Sequence, residues 1–93
     1  MIVGIVKVAL FIPSSDNLKG KSIVLRSLKD RLRNNFNISI IELADQDKWQ
    51  KSTLDFAAIS TDKSSVSSLI SSVINFIEDN KQIQLLDYET ELI

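Results

Sequence analysis

Apolar residues run almost without a break from Ile2 to Ile12, with Lys7 the one charge among them. A β-branched run of this length reads as a strand covered on both faces rather than a half-wet one. Pro13 and the polar Ser14-Ser15-Asp16-Asn17 end it, and Asp16 or Asn17 suits the N-cap of a helix beginning at Leu18. From Leu18 the apolar period changes from 2 to 3.6. At 100° per residue, Leu18, Val24, Leu25, Leu28, Leu32 and Phe36 fall within an arc of roughly 120°. That spacing predicts an amphipathic helix, weakened by Gly20 in its first turn and ended near Asn34-Asn35.

Two strands come next, Ile38–Leu43 and Leu54–Ile59, joined by the polar connection Asp45–Lys51. Thr61-Asp62 supplies a second N-cap. Val66, Leu69, Ile70, Val73, Phe76 and Ile77 then recur at three and four, with serines filling the polar face. The last segment, Ile83 to Ile93, alternates Asp87, Glu89 and Glu91 with Leu86, Tyr88, Thr90 and Leu92. The order β-α-β-β-α-β, with right-handed crossovers, predicts a single α+β domain over residues 1–93. Its architecture is the ferredoxin-like βαββαβ sandwich, a four-stranded antiparallel sheet with two helices on one face.

That fold makes a demand on the first strand. One alternate set (Val6, Val8, Leu10, Ile12) must face the helices. The other (Val3, Ile5, Lys7, Ala9, Phe11) then lies on the open sheet face and is apolar except for Lys7. A patch of this kind marks an interface, so these five residues form a candidate self-association face and the chain is expected to form a homodimer or another oligomer.

Composition removes several chemistries. The 93 residues contain no cysteine and no histidine. Disulfides, thiolate nucleophiles, zinc knuckles and histidine-based acid–base catalysis are therefore excluded. The two glycines, Gly4 and Gly20, form no phosphate-cradling loop. Asp45 and Asp47, with Glu42 nearby, form a carboxylate cluster that could hold Mg²⁺ weakly or serve acid–base work, though its commoner role in a hairpin loop is turn hydrogen bonding. The expectation is a non-enzymatic protein without cofactor or metal. The apolar start is too short to span a membrane and lacks a cationic leader, so the chain reads as an intracellular, cytoplasmic protein with no membrane partner.

Net charge is −1, from 11 Lys+Arg and 12 Asp+Glu, but the distribution is lopsided. Residues 19–33 carry six cations (Lys19, Lys21, Arg26, Lys29, Arg31, Arg33) against Asp30, an excess of five positive charges. Residues 78–93 carry five acids against Lys81, an excess of four negative ones. Lys19, Arg26 and Arg33 recur at i, i+7 and i+14, with Lys29 beside them, so the helix carries a basic stripe well away from its apolar arc. Such a stripe can track a phosphate backbone, and the competing reading is a solvated helix face whose C-terminal cations suit the macrodipole. Lys21 joins the candidate nucleic-acid-binding set through its place in the same basic segment. So does Trp49, the single tryptophan, flanked by Lys48 and Lys51, as a base-stacking or anchoring group. A ring folded onto the core is its ordinary alternative.

Read together, Leu18-Lys-Gly-Lys21, Leu25-Arg-Ser-Leu-Lys-Asp-Arg-Leu-Arg33, Phe36-Asn-Ile-Ser-Ile40, Glu42 and Asp47-Lys-Trp-Gln50 resemble the YlxP-like family, a bacterial family of unknown function. The resemblance runs nearly end to end and includes the Ile12-Pro13 break. It implies a ferredoxin-like fold and a cytoplasmic protein encoded beside translation and ribosome-maturation factors, with no catalytic residues to transfer. Ribosomal RNA or the small ribosomal subunit is the partner this points to. The chain departs from the family pattern at Gly20 and Ser22, where an acid and an arginine are usual. Position 22 projects between Lys29 and Arg33, so its serine leaves a gap in the stripe.

Overall fold

A computed structural model describes residues 1–13, 18–43 and 51–93. The elements run β1 (Ile2–Phe11), α1 (Leu18–Asn35), β2 (Ser39–Leu43), β3 (Lys51–Ser60), α2 (Lys63–Glu78) and β4 (Gln84–Leu92). The sheet order is β2-β3-β1-β4 and every neighbouring pair is antiparallel. This is the ferredoxin-like α+β sandwich expected from the sequence.

β1 is paired along both edges, to β3 from Ile2↔Ser60 to Phe11↔Lys51 and to β4 from Gly4↔Leu92 to Phe11↔Gln84. Its helix-facing residues Val6, Val8 and Leu10, and Ile12 just beyond it, are completely buried. They meet Leu54 and Phe56 of β3, Leu25, Leu28 and Leu32 of α1, and Val66, Val73 and Ile77 of α2 in one core. The opposite set, Val3, Ile5, Ala9 and Phe11, is only half-buried. Both helices take one side of the sheet, so the continuous apolar run does not denote a strand covered twice.

Gly4 has an ordinary backbone conformation, and its role is steric. A Cβ there would lie 2.6 Å from Val66 Cγ1 and 2.7 Å from Ile70 Cδ1. The missing side chain lets α2 approach β1 closely. α2 starts where the Thr61-Asp62 signal predicts: Asp62 is the N-cap, its carboxylate accepting from the Ser65 backbone N–H at 2.8 Å and from the Ser65 hydroxyl at 3.1 Å. These hydrogen bonds, the backbone one first, hold its pKa below the usual carboxylate value.

Two boundaries differ from the sequence reading. β3 begins at Lys51 rather than Leu54, because its N-terminal residues Lys51, Ser52 and Thr53 pair with Phe11, Leu10 and Ala9. In β4 the alternation slips: Ala9 pairs with Asp87 but Leu10 with Leu85. Leu86 is the extra residue of a bulge and is exposed, while Leu85 packs against the core.

Replacing Gly4 by alanine should lower stability by about 1–3 kcal/mol, the usual cost of overpacking a tight contact. Equilibrium urea unfolding checks this, and an unchanged midpoint would show that α2 can move off the sheet freely.

Candidate nucleic-acid interface and sheet face

The helix-facing residues of α1 are Leu25, Leu28 and Leu32, so its solvent side carries Lys19, Arg26 and Arg33, all exposed. From residue 19 to residue 33 the three span about 21 Å along the helix axis. Lys19 stands in a first turn that holds no acid, where a cation opposes the macrodipole. Stability of the isolated helix does not explain it.

Several cations of the segment, Arg33 among them, also make contacts within the molecule, although Arg31 and Arg33 stay exposed. Lys29 Nζ lies 3.2 Å from Glu42 Oε1 on β2, the one ion pair among the described residues, half-exposed on both sides. Arg33 Nη2 reaches the Ile40 carbonyl at 3.4 Å, a long contact that leaves the guanidinium exposed. The Arg31 guanidinium sits 5.4 Å from the centroid of Phe76, whose ring meets Phe36 edge-on at 5.6 Å. These contacts join α1 to β2 and to α2.

Lys21 is a correction. It is only 6% exposed, and its ammonium donates to the Lys51 carbonyl at 2.9 Å, where β3 begins. Its position on the helix explains this: residue 21 projects into the middle of the apolar arc, between Leu28 and Leu32. The aliphatic stem fills that arc while the charged end meets a carbonyl at its margin. Membership in a basic segment hid what the helical angle would have shown. Lys21 is therefore part of the packing and not of a phosphate-binding surface. Trp49, Asp45 and Asp47 lie outside the described residues. Glu42 is engaged by Lys29, and among the described residues no group of three or more acidic side chains is arranged to hold a metal ion.

Val3, Ile5, Lys7, Ala9 and Phe11, the residues of the candidate self-association face, share the open side of the sheet, and that surface is wider than β1 alone. By register Val3 lies beside Ile59, Ile5 beside Ala57, Lys7 beside Asp55 and Ala9 beside Thr53, while Ile41 and Leu43 of β2 extend the surface. Ile41 and Ile59 are 58% and 55% exposed. The alternation within β2 and β3 carried this information, but only the pairing joins the pieces into one patch. Lys7 stands at its centre with Asp55 on one side and Glu89 of β4 on the other. Asp55 Oδ1 is buried and has no hydrogen-bond partner among the described residues.

A groove between α2 and β4 has no counterpart in the sequence reading. It is an open groove of about 300 Å³, lined by apolar Ile70, Ile74, Tyr88 and Leu92 and equally by polar groups, among them Ser71, Asn75 and Glu78. Serines on a helix look like a solvated face in sequence, and nothing there signals that the edge strand stands apart from α2.

The fold and its surfaces define a small ferredoxin-like domain with a basic helix flank and an open apolar sheet face. The match to a family model covers residues 3–90, under the description "Protein of unknown function (DUF503)", and the chain belongs to that family. It is also similar to "Uncharacterized protein YlxP" of Bacillus subtilis (strain 168), with 30% identity over 90 residues, 97% of this chain and 98% of the relative. Among the described residues no helix is long and apolar enough to cross a membrane.

Substituting Lys21 by methionine should destabilise the protein by about 1 kcal/mol through the lost hydrogen bond to Lys51, whereas Lys19→Met should stay within about 0.5 kcal/mol of wild type. Urea unfolding of the two variants separates the packed lysine from the exposed one.

Proposed function

We propose that the protein is a non-enzymatic accessory factor of translation that contacts ribosomal RNA or the small ribosomal subunit, in the cytoplasm, through the exposed side of α1. Lys19, Arg26 and Arg33 are the phosphate contacts, with Lys29 at their margin. The observation that carries the reading is the outward presentation of these three long cations along one helix, one of them set against the helix dipole. The acidic end of the chain does not oppose it. β4 lies at the opposite edge of the sheet, three strand positions from β2, the strand that Lys29 of α1 reaches. That is about 14 Å at the usual strand spacing, beyond the screening length of about 10 Å at 0.1 M salt.

Three phosphate contacts give a shallow salt dependence. Between 50 and 200 mM salt the affinity for ribosomal RNA should fall about 20- to 40-fold. Arg26→Glu with Arg33→Glu should abolish binding, while Glu42→Gln, which releases Lys29, should strengthen it. Filter binding or fluorescence anisotropy with purified ribosomal RNA measures all three, and sucrose-gradient fractionation shows whether the protein travels with free small subunits. Absence of binding at low salt, or indifference to the double charge reversal, overturns the reading.

A second reading belongs to the open sheet face. The exposed Ile41 and Ile59, continuous with half-buried Val3, Ile5, Ala9 and Phe11, form the kind of apolar surface that a second copy covers. The module is then a homodimer that needs no nucleic acid. Sedimentation should show a concentration-dependent dimer that Ile59→Lys disperses, and a clean monomer at high concentration removes this reading.

A further inference from the structure

β4 is an edge strand of nine residues without proline or lysine, guarded only by the bulge at Leu86 and by the acids Asp87, Glu89 and Glu91. Its backbone polarity follows from one pair at its end. Val3 and Ile93 exchange both hydrogen bonds, at 3.0 and 2.7 Å. In an antiparallel ladder such pairs alternate, so Glu91, Glu89 and Asp87 also bond inward to β1. The N–H and C=O groups of Tyr88, Thr90 and Leu92 therefore point away from the sheet. The Tyr88 N–H is met by the carboxylate of its own neighbour Asp87 at 2.9 Å, as befits a donor with no strand beyond it.

Side chains divide the same way. Tyr88, Thr90 and Leu92 line the groove beneath α2, beside Ile70 and Ile74. Asp87, Glu89 and Glu91 stand in a row on the opposite face. A strand added to this edge would place alternate residues against three carboxylates and the intervening ones over the groove, where Tyr88 and Leu92 are its exposed apolar side chains. A second copy does not fit: pairing β4 with β4 sets acids beside acids on the same face, which is repulsive. The edge rejects itself and accepts the opposite charge pattern.

We propose that β4 and the α2–β4 groove bind an extended protein segment in which lysine or arginine alternates with apolar residues, added to the sheet as a fifth strand. The main chain of the segment bonds Thr90, Leu92 and the Tyr88 carbonyl, its cations pair with Asp87, Glu89 and Glu91, and its apolar side chains lie on the exposed Tyr88 and Leu92. Backbone pairing supplies the affinity and the two rows supply the choice of sequence. This site is separate from α1 and stands whether or not that helix binds RNA.

The test is a titration of the intact isotope-labelled protein with a short peptide alternating valine and lysine, monitored by amide NMR. Saturable shifts should appear in Leu85–Leu92 and on the facing side of α2. A peptide of the same composition with its lysines and valines in two blocks should bind about tenfold more weakly, since it loses the register of three cross-strand charge pairs. Methylating the peptide nitrogens that face the edge should abolish binding while the protein stays untouched. Glu89→Gln with Glu91→Gln should weaken it with the fold unchanged by circular dichroism. Equal binding of the block peptide or of the methylated peptide, shifts confined to α1 or to the sheet centre, or no saturable shift at millimolar peptide would each overturn the proposal. A response that survives the double glutamine variant undiminished would do the same.

Discussion

β1 bonds to a strand on each side and presents Val6, Val8 and Leu10 to both helices with no surface left accessible. β3 is the other central strand, but β2 pairs with only half of it, from Thr53 to Ala57. The remaining architecture comes from satisfying it: β3 and β4 must supply the antiparallel partners, and α2 must come close enough to seal the core. Gly4 makes that approach possible, since any side chain there would run into Val66 and Ile70. The cost falls on the other face of the same strand. With both helices on one side, Val3, Ile5, Ala9 and Phe11 are left to the solvent or to a partner.

The cations of α1 do two kinds of work. Lys21, Lys29 and Arg31 are directed at a carbonyl, a carboxylate and an aromatic ring, and they fasten the helix to β3, β2 and α2. Lys19 and Arg26 point outward, and Arg33 stays exposed while touching the Ile40 carbonyl only at long range. A local excess of five positive charges thus overstates the surface charge of the helix. Of the six cations only Lys21 is withdrawn from solvent, and the row of Lys19, Arg26 and Arg33 lies at the side of the sheet remote from Asp87, Glu89 and Glu91. The near-zero net charge hides a molecule whose two flanks carry opposite sign.

The element order, the N-cap at Asp62 and the alternate sets of β1 were legible because each depends on local periodicity or capping chemistry. Core residues were legible for the same reason. The buried place of Lys21 was legible too, from its helical angle, but residue type outweighed geometry in the reading of that position. The β4 slip was not: a bulge at Leu86 is set by how β4 pairs with β1, and the sequence alternates plausibly without it. The groove beside α2 likewise depends on the separation of two elements that are not in register with one another.

The sequence by itself therefore determined the fold class, the helix faces and the opposite charges of the two ends, since these are properties of spacing and composition along a short stretch. Only the tertiary structure decided which cations of α1 are tied to other elements, that Ile41 and Ile59 join the β1 face, and that the outward backbone of β4 runs beside a groove under α2. Those outcomes rest on contacts between segments distant in sequence, where pairing register and helix placement, rather than local pattern, fix which groups meet.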